Sequence, residues 1–277
     1  MLSVLASATL AATEGCGADD SPAAPPARAV KPVVRVQPGV VPAPRTNSAV
    51  LLPPPPRQSR VPLPGGGALT HLPGPGDMLA LTIDDGASAE VVAAYGRLAA
   101  DTGLRMTFFV TGSFPGWTEH APLLRPMVES GQIQLGNHTW THPWLTRLSH
   151  AEIAEELRTN HEFLRMTYGV AATPYFRPPF GAHNATVNKV AADLGYQVCT
   201  MWFGSLADAG FVREDFIVHM AHQYLNPQAI VIGHANHLPV THVYPQLIEL
   251  IKARNLRTVT LDDVFLPPAP PPPPPPH

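Results

Sequence analysis

The chain has 277 residues, a net charge of −3 and only 14% charged side chains. No basic patch or stripe runs through it, which removes the usual footing for nucleic-acid binding. The length fits one or two domains, and the 34 prolines favour one because they crowd into the two ends.

Residues 1–20 read as a leader. The run Met1–Ala12 has the character of a secretory signal. Gly15-Cys16-Gly17, followed by Ala18-Asp19-Asp20-Ser21, resembles a bacterial lipoprotein cleavage site. That reading implies export, with membrane anchoring through a lipidated Cys16. No later stretch has the ~20 apolar residues of a membrane span. Residues 21–75 read as a Pro/Ala-rich linker that ends in Gly65-Gly66-Gly67, and 267–277 as a polyproline tail. Both compositions favour extended, disordered chain without a packed interior.

The folded unit is expected over 76–266. Apolar runs predict strands at 78–83, 105–111, 133–137, 174–178, 197–202, 229–233 and 257–261. Amphipathic patterns predict helices at 88–102, 119–130, 149–167, 185–195, 213–224 and 243–254. The helix from 149 carries the strongest signals. Ser149 and Glu152 form a capping-box pair, Ile153, Leu157, Leu164 and Tyr168 share one face, and Gly169 sits just past the end. Cys199 falls in an apolar run and reads as a small core residue, with no disulfide framework implied. Strand–helix alternation of this kind gives a parallel sheet and an α/β fold, with closure into a barrel favoured over an open sheet.

The chemistry lies at strand ends. Met78-Leu79-Ala80-Leu81 runs into Thr82-Ile83-Asp84-Asp85-Gly86, and Ile133-Gln134-Leu135 precedes His138-Thr139-Trp140-Thr141-His142. One carboxylate and two imidazoles make a three-ligand set for a divalent metal with positions left open, and the second carboxylate is then free to act as a base. Asp84 and Asp85, as strand neighbours, point to opposite sides and serve one site only where the chain turns, which Gly86 permits. Pro143 disfavours helix at His142 and puts the histidine pair on a turn. His219 and His222, three apart in a predicted helix, have no carboxylate cluster with them and read as ordinary surface or boundary residues.

Five segments in order resemble the polysaccharide deacetylase family, also called the NodB-homology or carbohydrate esterase family 4 domain. They are Thr82-Ile83-Asp84-Asp85-Gly86, His138-Thr139-Trp140-Thr141-His142-Pro143, Arg177-Pro178-Pro179-Phe180-Gly181, the stretch Trp202 to Asp208, and Ile230-Val231-Ile232-Gly233-His234. The resemblance covers roughly 78–265. It implies a distorted (β/α) barrel of about seven parallel strands and removal of acetyl groups from N-acetylglucosamine-containing glycans. It assigns Asp85, His138 and His142 to a metal, most often Zn2+ with Co2+ as a substitute. It makes Asp84 the general base, Arg177 its orienting partner, His234 the general acid and Asp208 the residue that tunes it. Phe180 supplies an oxyanion N–H, and Trp202 and Ile232 line the acyl pocket. The implied partner is a glycan of the cell envelope or outside the cell.

The sequence departs from the family at three places. Ala209 stands where a tryptophan usually walls the acetyl pocket, so Trp202, Phe203 or Trp140 must do so or the pocket is wider. Ile232 replaces a leucine, and Ala235 a frequent acidic neighbour of the last histidine. Two other functions remain open on the same fold: an O-acetyl ester hydrolase of the acetyl-xylan type, and a glycan-binding module without turnover. Other metal chemistries fit less well. Thr139 stands where a His-Glu-x-x-His protease carries its base. A two-histidine, one-carboxylate set also suits iron, but the Asp-Asp pair favours hydrolysis. A glycosidase needs its two carboxylates about 5–10 Å apart, usually from separate elements.

Overall fold

The computed structural model describes residues 51–65 and 67–267. The leader with Cys16, residues 21–50 and the tail from 268 lie outside the described residues. Among the described residues no helix is long and apolar enough to cross a membrane.

Among the described residues nine strands form one sheet: β1 (Ala68–Leu69), β2 (Met78–Asp85), β3 (Met106–Val110), β4 (Ile133–Asn137), β5 (Tyr175–Phe176), β6 (Val198–Thr200), β7 (Gly204–Ser205), β8 (Ile230–His234) and β9 (Arg257–Thr258). The order is β1-β6-β5-β4-β3-β2-β8-β7, with β9 on β2, and every pairing is parallel. The helices are α1 (Ala89–Thr102), α2 (Gly116–Glu119), α3 (Ala121–Glu129), α4 (His150–Tyr168), α5 (Ala185–Asp193), α6 (Glu214–Tyr224), α7 (Pro239–His242), α8 (Tyr244–Ala253) and α9 (Leu261–Val264).

Strand pleating sorts the side chains into two cores. Leu79, Leu81 and Ile83 of β2, Phe108 and Val110 of β3 and Val231 of β8 pack outward with the helices. Ala80, Phe109, Tyr175, Val198 and Ile230 face the interior with Val259, Leu261, Val264 and Phe265. The α4 signals appear as read: Ser149 and Glu152 make both capping-box bonds, Gly169 caps at φ 73°, and Ile153, Leu157, Leu164 and Tyr168 are buried. The helix expected at 119–130 is broken at His120, just before Pro122, and starts earlier as α2.

The sheet curls until its edges almost meet. Met201, leaving β6, donates its N–H to Leu69 of β1, while Phe203 donates to Ile230 of β8. One residue thus separates the two edges, a gap the chain crosses in about 7 Å. Just below, His71 bridges Ala229 and Leu72 donates to Gln228.

Part of the expected linker is therefore structural. Within 51–75, Leu51, Leu69 and Leu72 are buried, Val61 bridges Phe265, and β1 is a stave of the barrel. The proline content of this segment hid these short apolar contacts, which need no periodic repeat. The domain boundary at residue 76 lies too late.

Candidate active site

Every expected site residue except Ile232, which lies mid-strand in β8, is at or beyond the C-terminal end of a strand. In parallel barrels that is the end where sites are built. Asp84 continues the inward row of Ala80 and Thr82, and is register-paired with His234 on the adjacent strand. Asp85 would point outward, but it adopts φ 70° and turns the chain. Gly86 follows at φ 106°, and a Cβ there would run into the Trp117 indole. The turn thus begins one residue earlier than the glycine signalled. Thr139 (φ 70°), His142 (φ 62°) and Phe180 (φ 60°) also hold the left-handed region. Such backbone costs about 1–3 kcal/mol per residue and concentrates at functional sites.

The loop after β4 is tightly held. Asn137 Oδ1 accepts from the Thr139 N–H (2.8 Å) and from Asn160 (2.9 Å), which also donates to the Val110 carbonyl. Glu156 on α4 accepts from the Trp140 and Thr141 N–H groups at 2.9 and 2.8 Å. Thr139 Oγ1 accepts from the His142 N–H. This loop geometry brings both imidazoles to Asp85.

His138 Nε2 and His142 Nε2 lie 3.2 and 3.0 Å from Asp85 Oδ1. His138 Nδ1 lies 2.7 Å from the Arg177 carbonyl, which only accepts, so Nδ1 carries a proton and the neutral ring presents a bare Nε2. Asp85 Oδ1 is buried and has no polar neighbour to satisfy it other than these two ring nitrogens. Electron pairs from three side chains thus converge, with ligand atoms all within 4.8 Å of one another. A cation satisfies that arrangement, and the donor set suits a divalent metal such as zinc. Burial opposes charge on Asp85, yet the two histidines outweigh it and hold its carboxyl far below the usual range. Burial also opposes charge on His138, and Asp84 and Asp85 more than offset it, so its pKa is raised. The pocket draws positive charge. Among the described residues this is the one such cluster; His219 and His222 do not join it.

Two buried pairs flank the cluster. Arg177 is fully buried and donates to Asp84 Oδ1 (2.6 Å), Thr82 Oγ1 (2.8 Å) and the carbonyls of Thr200 and Met201 (2.9 Å each). Its guanidinium lies over the Phe109 ring at 4.2 Å and the Trp202 ring at 5.6 Å. Across the site, Asp208 grips His234 twice: Oδ1 faces the ring Nδ1 (3.0 Å) and Oδ2 accepts the backbone N–H (3.1 Å). Nδ1–H donates to the carboxylate, which leaves Nε2 toward the cleft. Burial lowers the His234 pKa, but Asp208 and then Asp84 and Asp85 overcome that and raise it.

The aromatic candidates part company. Trp202 stays beside Arg177 and against Gly181. Phe203 packs on His71 and Tyr224, and Trp140 on Phe163. Ile232 is buried on the inward face two residues before His234. Phe180 is half exposed, stacked on Trp144 (4.3 Å, 10°) and edge-on to His142 (4.6 Å, 66°).

Sequence reasoning missed four contributors. Trp117 donates to the Asp85 carbonyl (2.8 Å), Glu156 holds the histidine loop, Trp144 backs Phe180, and Asn236 donates to Asp85 Oδ2 (2.6 Å). Only Asn236 carried a signal, since it lies two residues past His234. The others sit on elements whose spacing alone says nothing of the site. A cavity of about 480 Å³, lined by Arg57, Arg60, Arg105, Gln134 and Asp262, lies near the other end of the strands and touches none of these residues.

Comparison with known proteins matches the polysaccharide deacetylase family model over residues 71–199. A chitin deacetylase from Pestalotiopsis sp is 30% identical over 211 residues, covering 74% of this chain and 68% of that protein. The chain belongs to the polysaccharide deacetylase family. This deacetylase-family chain is also 26% identical over 187 residues to the peptidoglycan-N-acetylglucosamine deacetylase PgdA of Listeria monocytogenes, covering 68% of this chain but only 38% of that protein. It thus spans about two fifths of that relative's length. Among solved structures, a carbohydrate esterase family 4 pseudoenzyme from Bacillus anthracis superimposes with a TM-score of 0.62 at 22% identity, covering 72% of this chain and 70% of that one, a likeness of fold.

Proposed function

We propose that the protein is a metal-dependent hydrolase that removes N-acetyl groups from N-acetylglucosamine-containing glycans. The observation that carries this is the convergence of Asp85 Oδ1, His138 Nε2 and His142 Nε2 between the Asp84–Arg177 and His234–Asp208 pairs. The names of the chitin and peptidoglycan relatives support this substrate class.

Asp85, His138 and His142 would hold the ion. A divalent ion there supplies Lewis acidity, which acidifies water and polarises an acyl oxygen. Asp84, kept in place by Arg177, takes the proton from the attacking water. The Phe180 N–H donates to the oxyanion that forms on the acyl carbon. His234, held by Asp208, gives its Nε2 proton to the sugar nitrogen as the carbon–nitrogen bond breaks. Acetate and a free amine leave. Trp202 and Ile232 bound the acyl pocket, and Ala209 leaves it wider than a tryptophan would.

Acetate release from N-acetylglucosamine oligomers, run beside acetylated xylan, tests the reading. Release from xylan alone favours the ester-hydrolase alternative. Release from neither, with oligomers still bound, favours a binding module. The leader reading, with Cys16 as anchor, would place this activity at the cell envelope.

A further inference from the structure

We infer that Asn236 is a positioning residue that presents one oxygen of Asp85 to the metal and withholds the other. The inference rests on the reading that Asp85, His138 and His142 hold a divalent ion.

Asn236 follows β8 and turns back over the loop after β2. Its Oδ1 accepts the Ala87 N–H at 3.1 Å. A backbone N–H only donates, so that contact fixes which end of the amide is oxygen. The Nδ2 end therefore faces Asp85 Oδ2, at 2.6 Å. Asp85 Oδ2 is engaged by a donor, while Oδ1 is left bare between the two imidazoles. The support is stiff. Ala235 donates to the Asp84 carbonyl and accepts from the Ser88 N–H, both at 3.0 Å. The residue before Asn236 is thus laced to both sides of the turn that carries Asp85. Outer partners of this kind orient a ligand, and their loss costs about 10–100-fold in metal affinity.

The consequence is a one-oxygen ligand. Without the amide, Asp85 is free to rotate and bring Oδ2 to the ion as well, raising the coordination number and filling a position that substrate and water need.

The test uses the full chain and three variants, Asn236→Ala, Asn236→Ser and Asp85→Ala. Zn2+ affinity is measured by competition with a chelating indicator. The visible absorption of the Co2+-loaded proteins is recorded, together with the melting temperature of each metal-free protein. Both Asn236 variants are expected to bind Zn2+ about 10–100-fold more weakly and to show weaker Co2+ bands as coordination rises, with metal-free melting close to that of the parent. Serine is included because it is small and polar but too short to span both contacts. Unchanged affinity and spectrum in the Asn236 variants, with Asp85→Ala impaired, overturn this inference alone. Weaker binding with an unchanged spectrum means a loosened loop, and also overturns it. A parent that binds no Zn2+ and matches Asp85→Ala overturns the metal reading beneath it.

Discussion

Asp84 Oδ1 and the Arg177 guanidinium meet at 2.6 Å with both side chains almost wholly removed from solvent. An ion pair so placed is costly to break, because the survivor stays buried and charged. The remaining partners of Arg177 are two carbonyls, a hydroxyl and two aromatic rings, none of which carries opposite charge. Asp84→Asn is expected to lower turnover by about 10²–10⁴-fold, the share of a general base, while bound Zn2+ stays near one per chain. Near-normal acetate release by this variant would contradict the role of Asp84.

Asp208 makes a pH prediction. The His234 pKa is raised above its ordinary value, so its charged pairing with Asp208 stabilises the fold below the unfolded value of about 6.5 and is lost as pH rises through the folded value. If His234 is the acid, activity falls on the alkaline side as it loses its proton. Asp208→Asn removes the largest raising contribution, so that limb should move toward acid. A pH–rate profile with an unmoved limb would remove His234 from the acid role.

Chelation should abolish acetate release, and added Zn2+ or Co2+ should restore it. Activity that persists in the chelated, metal-free protein would show that the three converging side chains serve another purpose.

Trp144 sits between Phe180 and Arg147, whose guanidinium carbon lies 4.9 Å from its ring. Phe180 in turn meets the His142 ring. Aromatic contacts of this kind contribute about 0.5–1.5 kcal/mol. Trp144→Ala should therefore weaken Zn2+ binding several-fold, with Trp144→Phe close to the parent. Equal affinity for all three by indicator competition would show that the column does not brace His142.

The barrel needs its N-terminal stave. A protein starting at residue 76 loses buried Leu51, Leu69 and Leu72. Burial of each such side chain contributes about 1.5–3 kcal/mol, against a total stability of about 5–15 kcal/mol. Residues 51–267 should melt cooperatively, and 76–267 should melt far lower or precipitate. Equal melting temperatures would mean that the early segment only rests on the surface.

The long strands, the helix caps and the charged clusters were legible because each has a local rule: pleat period, capping chemistry, ligand type at strand ends. Ser149 and the Asp-Asp pair are read on that basis. What was not legible depends on distance in the chain. Two-residue strands such as β1 and β7 have no period to detect, and proline-rich surroundings concealed Leu69 and Leu72. Trp117, Glu156 and Asn236 reach the site through single side chains from loops and helices. Phe203 and Trp140 lie in or beside the motifs, and their packing on His71 and Phe163 has no local signal.

Asp84 and Asp85 owe their directions to different parts of the backbone. Pleating between β3 and β8 aims the first, and one left-handed residue aims the second. The two can therefore drift separately over evolution. Exchange of Asp85 for glycine, which cannot ligate, leaves the ladder untouched and relieves its backbone tension. A descendant altered in this way would fold as well as its parent, or better, while doing no chemistry, so thermal robustness is a poor guide to which members of the lineage still turn over.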